Sequence, residues 1–193
     1  ESYQFMVTAI NSEGHISNPS EIVTVEFQSE ENYFLNEGWN FIGLKNNPDD
    51  TNVTGIFNSI MEHVIQIKSE TSNYNPAIPD FLNTLNDIEI GKAYWVNVDQ
   101  EVVLTTIGAK INTELNPINL NLNEGWNYIS YPKATPTNIA TAIANIEDKV
   151  IQIKGTNSSY NPALPEFLNT LQQFEFGKGY FINVTEDCNL TIQ

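Results

Sequence analysis

Hydrophobic and polar side chains alternate at the N-terminus of the chain. The alternating apolar positions are Tyr3, Phe5, Val7 and Ala9. A period of two predicts a half-buried β-strand over 3–11. Gly14 and the polar run 17–20 predict a turn, and the apolar residues of 22–25 predict a second strand. The first part of the chain is therefore expected to form a β-hairpin.

A second pattern covers most of the remaining chain, because five short motifs occur twice in the same order. The paired segments are 36–40 with 123–127, 64–68 with 150–154, 74–77 with 160–163, 81–85 with 167–171, and 91–94 with 177–180. The spacing is 87 residues for the first pair and 86 for the others, so the second unit lacks one residue within 133–138. Such self-similarity predicts a duplicated structural unit. We call residues 32–107 the first copy and residues 118–193 the second copy, with 108–117 as a short connection.

The pattern within each copy predicts a hairpin followed by a helix. Gly38 and Gly125 stand where the three-residue loop of a hairpin requires a positive φ. Thr135 and Pro136 are suited to cap and begin the second helix. The positions with helical spacing are Val53, Ile56, Phe57, Ile60 and Val64, and Ile139, Ala142, Ile143, Ile146 and Val150.

Further strands follow the helix in each copy. Ile65 and Ile67 alternate with polar residues, which predicts a strand, and 81–85 is expected to be a short apolar turn. The last two strands are predicted at 94–98 and 102–106, and at 180–184 and 189–192. We therefore expect a β-rich α+β fold, with two tandem small repeats after a partial β-sandwich hairpin.

Residues 1–28 resemble the last two strands of a fibronectin type III domain. The shared features are a strand containing tyrosine, the loop Asn11-x-x-Gly14, and the strand motif Pro19-Ser20-x-x-Val23-x-Val25. The resemblance implies a β-sandwich whose five preceding strands are missing from this sequence. A lone two-stranded hairpin is marginally stable in water. We therefore expect a longer chain upstream, or a neighbouring surface that covers the hairpin.

The Gly-Trp-Asn strand at 38–40 and the Glu-x-Gly-Lys-x-Tyr segment at 89–94 both recur in the second copy. Together they resemble small repeat domains of secreted bacterial surface proteins and of structural or tail-fibre proteins of marine tailed phages. The resemblance covers both copies, with Ala93 in place of an expected glycine. It implies an extracellular or cell-surface location, with a virion as the alternative, and it implies no catalytic residues.

The charge of the chain narrows the classes of partner. The formal net charge is -16 and all 8 basic residues are lysines, so the basic stripes that bind nucleic acid or anionic lipid are missing. No apolar run approaches about 18 residues, so no membrane insertion is expected. The acidity leaves weak Ca²⁺ association open, although no Asp-rich calcium loop supports it. The expected partners are flanking domains or neighbouring subunits, with surface glycans as the alternative.

Reactive side chains are sparse and form no catalytic motif. The only histidines are His15 and His63, and the second copy has Lys149 where the first has His63. Cys188 is the only cysteine, and a nucleophile elbow, a zinc-binding His pair and a phosphate-binding glycine loop are all missing. Repeated acids such as Glu89 and Glu175 are interpreted as turn residues that orient the adjacent Lys92 and Lys178. We predict no enzymatic activity, no cofactor and no metal site.

The repeated aromatic residues are the remaining candidates for a role. Trp39, Trp126, Tyr94 and Tyr180 lie beside glycines, and we expect these rings to fill the two small cores. We also assign a structural, non-binding role to the glycines beside them, which are Gly38, Gly125, Gly91 and Gly177. In the alternative interpretation, such flat rings stack on a sugar.

Tyr74 with Asn75, and Tyr160 with Asn161, are better candidates for sugar binding because they lie in irregular loops. An exposed tyrosine beside an amide can combine ring stacking with hydrogen bonds to hydroxyls. The other interpretation is that each tyrosine anchors its loop on the sheet. The sequence thus predicts a non-catalytic structural or adhesion module, with a carbohydrate-binding module as the alternative.

Overall fold

A computed structural model describes residues 2–26 and 28–193. It is β-rich, with 42% strand and 12% helix, and its strands form several antiparallel sheets. The N-terminal hairpin pairs β1 (Ser2–Phe5) with β2 (Val23–Glu26). Its first strand ends six residues earlier than predicted. Beyond it, Ser17 and Ser20 hydroxyls accept hydrogen bonds from the Ala9 and Val7 N–H groups. Serine side chains thus replace part of the backbone ladder beside Pro19, which has no N–H to donate.

The first copy contains seven strands in two antiparallel sheets. The strands are β3 (Gln28–Leu35), β4 (Gly38–Ile42), β5 (Asn46–Asn47), β6 (Val64–Lys68), β7 (Asn73–Tyr74), β8 (Tyr94–Val98) and β9 (Val102–Lys110). The larger sheet has the order β4-β8-β6-β7 and the smaller sheet the order β3-β9-β5. Because Gln28 pairs with Ala109, the β3–β9 pair extends beyond the predicted copy at both ends and includes part of the predicted connection.

The second copy repeats this arrangement with shorter outer strands. Its strands are β10 (Ile118–Leu122), β11 (Gly125–Ser130), β12 (Thr137–Asn138), β13 (Val150–Lys154), β14 (Ser159–Tyr160), β15 (Gln173–Phe174), β16 (Gly179–Val184) and β17 (Cys188–Ile192). The larger sheet has the order β11-β16-β13-β14, and β10 pairs with β17. A short β12–β15 pair is added. Strands that carry the same sequence motif therefore occupy the same place in both larger sheets.

The predicted hairpins around Gly38 and Gly125 are wrong, although both glycines have the predicted positive φ, 88° and 94°. β3 pairs with β9 while β4 pairs with β8, so this turn leads from one sheet to the other. The Asn40 side chain closes it by accepting from the Asn36 N–H (3.0 Å) and donating to the Asn36 carbonyl (2.8 Å). Asn127 makes the equivalent pair of bonds with Asn123. The Asn-Glu-Gly-Trp-Asn motif therefore builds a corner between two sheets.

The predicted helix is shorter than expected in both copies. The first copy has α1 (Val53–Ile56) and a 3₁₀ segment (Asn58–His63), and the second has α2 (Ile139–Ala142) and a 3₁₀ turn (Glu147–Lys149). Nine of the ten positions with helical spacing are nevertheless buried, and Ala142 is half-buried. The predicted Thr135–Pro136 cap is wrong, because the Asn138 side chain caps α2, as Asn52 caps α1.

One predicted strand face is interrupted. Ile67 is fully buried but Ile65 is exposed, although simple alternation places them on one face. The register between β6 and β8 shifts between Val64 and Gln66, as a β-bulge does. The bulge turns Val64 and Ile67 inward together. β13 has the same shift between Val150 and Gln152.

Each copy has its own hydrophobic core, which lies between its larger sheet and the sheet of its first and last strands, and under its helix. Additional 3₁₀ turns, Asp80–Leu82 and Glu166–Leu168, lie outside these cores. In the N-terminal hairpin, by contrast, Phe5, Val7 and Ala9 are exposed, as expected for a hairpin face that the described residues do not bury.

The two copies contact each other through the same surface of each. Ile42 forms a β-bridge with Lys178, and Ile129 forms the equivalent bridge with Lys92. The Gly43 N–H donates to the Gly177 carbonyl (3.0 Å), and the Ser130 N–H donates to the Gly91 carbonyl (2.8 Å). Such reciprocal contacts characterise an isologous interface, here within one chain.

Candidate functional site

The loop tyrosines that we considered for sugar binding lie against the sheets. Tyr74 is only 9% exposed and belongs to the core of the first copy. Tyr160 is half-buried and packs on the core of the second copy. Stacking a sugar requires an exposed ring face, so the sugar-binding interpretation of these loops is not supported. The observed positions match the other interpretation, in which each ring anchors its loop.

The neighbouring amides are engaged within the same loops. The Asn75 side-chain oxygen accepts from the Ala77 N–H (2.8 Å), and the Asn75 N–H donates to the Asn83 side chain (2.8 Å). Asn161 has the equivalent partners, Ala163 and Asn169. These bonds fix the loop conformation. Each loop exposes a phenylalanine at its tip, and Phe81 and Phe167 are both 84% exposed.

The repeated Glu-x-Gly-Lys-x-Tyr segment forms a turn held by a buried tyrosine. Tyr94 and Tyr180 lie in the cores, at 3% and 2% exposure. Their hydroxyls accept from the Glu89 and Glu175 N–H groups, at 2.8 Å in both copies. Burial raises the pKa of both tyrosines to about 12. The turn glycines have positive φ, 81° at Gly91 and 73° at Gly177. These motif residues therefore shape the turn.

The prediction that Trp39 and Trp126 fill the cores is wrong, since their side chains are 45% and 41% exposed. The inward positions of β4 are held by Asn40 and Ile42, and alternation places Trp39 on the opposite face. The turn needs the asparagine amide on the inner side, close to the backbone that it bonds. The tryptophan next to it must then point outward.

On this outer face, each tryptophan begins a row of side chains that crosses three strands. Trp39 pairs with Asn97, which in turn pairs with Gln66. The second copy has the row Trp126, Asn183 and Gln152. Residues directly opposite each other on neighbouring strands share one face of the sheet. The two rows therefore present the same three types of side chain in the same order.

The amides of these rows have no hydrogen-bond partner among residues 2–26 and 28–193, although all four residues are partly buried. They are Gln66, Asn97, Gln152 and Asn183. A lysine lies beside each row, with the Lys68 ammonium 5.0 Å from the Trp39 ring centre and the Lys154 ammonium 4.8 Å from that of Trp126. The rows thus combine an indole, two unpaired amides and a cation. The alternation of residues along β4 and β8 could have predicted these rows from the sequence, but only if Asn40 had first been placed on the inner face.

Between the rows, aromatic rings from both copies form one cluster. Phe41 stacks on Trp95 of its own copy (4.6 Å) and on Phe181 of the other (4.7 Å). The Tyr128 ring is perpendicular to the rings of Phe41 and Phe181, with centroid distances of 5.4 and 4.9 Å. Sequence reasoning missed this cluster because each ring lies outside the core of its own copy. It joins the two outer faces.

Reactive groups are dispersed over the described part of the chain. No group of three or more His, Cys, Asp or Glu side chains there is arranged to hold a metal ion. Burial raises the pKa of the Cys188 thiol, which lowers its thiolate fraction. His63 contacts Asp99 at 3.1 Å. The predicted Glu175–Lys178 pair is present at 2.7 Å, whereas Lys92 makes no ion pair in the regions that the structure covers.

A cleft of about 400 Å³ opens where the copies meet. Its first-copy wall contains Glu70, Asp87, Glu89 and Lys92, and Tyr128 closes it from the second copy. The Glu70 carboxylate accepts from the Tyr128 N–H at 3.1 Å. This side chain therefore helps to join the copies.

The sequence matches no protein-family model, and neither a curated protein nor a solved structure is significantly similar to it. No helix in the described residues is long and apolar enough to cross a bilayer.

Proposed function

We propose that the chain is a non-catalytic structural or adhesion module of an extracellular surface, appendage or virion-fibre protein. In this proposal, it consists of two duplicated domains behind the end of a fibronectin type III-like sandwich. The observation that carries it is the reciprocal contact between the copies, where paired backbone bonds and the shared aromatic cluster join two small cores. Such a contact fixes the distance and orientation of whatever each end carries. The net charge of -16 favours solubility and limits self-association.

This proposal requires the two copies to move as one rigid body. Backbone ¹⁵N relaxation of the full chain is expected to give one rotational correlation time for both copies. Phe41→Ala, which removes the ring at the centre of the cluster, should partly uncouple them, whereas Phe81→Ala at an exposed loop tip should not. Independent tumbling of the copies in the wild-type chain would contradict the spacer function.

A second candidate function is carbohydrate binding, and the two Trp-Asn-Gln rows favour it. An indole ring stacks on the apolar face of a sugar, and unpaired amides donate to and accept from hydroxyls. Two strand spacings, about 10 Å, separate the ends of a row, which suits one or two sugar rings. A sugar stacking on the lysine-covered face of the indole has to displace the Lys68 or Lys154 ammonium, which then becomes a donor to the ligand. We place the glycan site on these rows and not on the loops of Tyr74 and Tyr160.

A glycan array with the full chain tests this second function. The double variant Trp39→Ala/Trp126→Ala should lose binding at least about 10-fold, as expected when roughly 1.4 kcal/mol of contact is removed. The matched control is Phe81→Ala/Phe167→Ala, which removes two exposed rings that lie outside the rows. Lack of binding by the wild-type chain, or equal loss in the control, would contradict it.

A further inference from the structure

Two contacts between the copies join equivalent positions of the repeat. Gly43 of the first copy faces Ser130, which is its own counterpart in the second copy. Ala93 faces Gly179, which is likewise its counterpart. Each contact therefore joins a residue of the first copy to the same repeat position of the second copy. In a contact between two identical surfaces, both members would be the same residue.

There is room for only one side chain at each contact. A Cβ atom added to Gly43 would overlap the Ser130 side chain and would lie 2.8 Å from the Lys92 carbonyl oxygen. A Cβ atom added to Gly179 would lie 2.7 Å from the Phe41 ring and 3.0 Å from the Ala93 Cβ. Neither glycine has a positive φ, so the backbone itself accepts an L-residue at both positions. Crowding across the interface excludes a side chain at both positions, and at Gly43 the Lys92 carbonyl of the same copy adds to it.

The two copies fill these contacts in opposite ways. The first copy contributes no side chain at position 43 and a methyl group at 93, while the second contributes a hydroxymethyl group at 130 and none at 179. Two first-copy surfaces would leave a gap at one contact and crowd two methyl groups at the other. Two second-copy surfaces would place two serines in the space of one.

We infer that this surface selects a partner of the opposite type. The first copy fits a second-copy surface and rejects another first copy, and the second copy likewise rejects itself. The first-copy surface thus recognises a repeat with a side chain at the position of Ser130 and glycine at the position of Gly179. Such a repeat can belong to the same chain or to a neighbouring molecule of it. This inference does not depend on what the chain binds.

The state of Ser130 supports a packing role. It is fully buried, and its hydroxyl has no hydrogen-bond partner within the described residues. An unpaired buried hydroxyl is unfavourable, so hydrogen bonding does not explain the serine. Its Cβ fills the space that Gly43 leaves. Ser130→Ala keeps that atom and should leave the melting temperature unchanged or higher.

Three variants of the full chain test the inference at the same four positions. Ser130→Gly/Gly179→Ala rebuilds the contacts of two first-copy surfaces. Gly43→Ser/Ala93→Gly rebuilds those of two second-copy surfaces. Each should lower the melting temperature by roughly 3–10 °C, through overpacking at one contact and a void at the other. The quadruple variant combines all four changes and restores one side chain per contact. It should therefore melt above both double variants but below the wild type, because the new Cβ atoms at 43 and 179 still lie 2.8 Å from the Lys92 carbonyl and 2.7 Å from the Phe41 ring.

The quadruple variant separates the inference from a general intolerance of these sites. If the four changes acted independently, it would be the least stable of the three. A quadruple variant that melts below both double variants would overturn the inference, and so would double variants that melt like the wild type. Gly155→Ser is the matched control, because the added atoms would mainly meet the Ser158 hydroxyl, 2.9 Å from the new Cβ, away from the interface. A double variant that does not fold agrees with the inference only if the quadruple variant folds.

Discussion

The larger sheet has the same arrangement in both copies, but the edge of the smaller sheet differs between them. In the first copy, β5 adds a third strand, and the buried Asn46 amide donates to the Ser29 and Thr106 carbonyls at 2.9 and 3.0 Å. The Thr106 hydroxyl donates back to Asn46 at 2.8 Å. In the second copy, Lys133 occupies the equivalent position and reaches the Gln193 carbonyl from a half-buried site. The comparison shows that the repeated motifs are sufficient for the common core, while β5 is held by its pairing with Ala109 and Lys110 and by the Asn46 side chain.

The largest effects are expected where the copies are the same. Ile67 and Ile153 are equivalent and both 0% exposed. Ile67→Ala and Ile153→Ala should each lower the free energy of unfolding by about 2–5 kcal/mol, through lost burial and a cavity. Urea unfolding should show two similar losses. Values that differ by more than about 2 kcal/mol would show that the cores are not energetically equivalent.

A difference between the copies is expected at the edge of the smaller sheet. Asn46→Ala removes three hydrogen bonds and leaves buried partners unpaired, so it should cost about 2–3 kcal/mol. Lys133→Ala removes one bond near the surface and should change the free energy of unfolding by about 0.5 kcal/mol or less. Both values come from the same urea titration. Equal losses would contradict the special role that we assign to Asn46.

Alkaline pH should destabilise both copies, but through different tyrosines. Burial raises the pKa of Tyr33 to about 12, as it does for Tyr94 and Tyr180. A tyrosine in the unfolded chain has a pKa of about 10. The folded chain therefore holds these protons more tightly, and this stabilisation is complete below pH 10 and lost as the pH rises from about 10 to 12.

The second copy has Leu120 in place of Tyr33, but burial also raises the pKa of Tyr131, which stands where the first copy has Leu44. Only the contribution of Tyr33 itself belongs to the first copy. Tyr33→Phe should reduce the loss of unfolding free energy by about 1.4 kcal/mol per pH unit in that range. It also removes the bond from the Lys45 N–H, a loss that is independent of pH. Guanidinium unfolding at pH 8 and pH 11 separates the two effects, and an unchanged slope would contradict the assignment.

Smaller effects than those of the core isoleucines are expected at the two corner glycines. Gly38 and Gly125 have positive φ, and a Cβ atom added at either would meet nothing within 4 Å. Only backbone strain is added, so Gly38→Ala and Gly125→Ala should each cost about 1–2 kcal/mol. Asparagine tolerates this conformation better, and the Asn variants should therefore lose less than the Ala variants. Thermal unfolding tests this order, which reverses if side-chain crowding dominates.

Much of the local structure could be predicted from the residues. The helical spacing at Val53, Ile56 and Phe57 identified buried positions, although the helix is one turn followed by 3₁₀ structure. The positive φ of Gly38 followed from turn chemistry. These features depend on neighbours in the sequence. The strand segments at 94–98 and 102–106 were recognisable for the same reason.

Long-range pairing could not be predicted in the same way. The corner at Gly38 was taken for a hairpin because nothing nearby indicates that β3 pairs with β9, whose paired residues lie 67–81 positions later in the chain. Trp39 points outward because Asn40 points inward, where its side chain bonds the turn. A polar residue such as asparagine is not expected at an inward position, so the sequence did not indicate this orientation. The bulge after Val64 reversed the expected face of Ile65 for a similar reason. Each error arose where a partner strand, and not local propensity, decided the outcome.

The pairing of the first and last strands has a mechanical consequence for each copy. Gln28 lies opposite Ala109, and Ile118 lies opposite Ile192, so the two ends of each copy are adjacent. Tension applied at these ends pulls along the inter-strand hydrogen bonds, which run perpendicular to the strands. The bonds then break one at a time, as in opening a zipper, and do not resist together in shear. A chain held at its ends should extend copy by copy at low force, and would act as a yielding element under load.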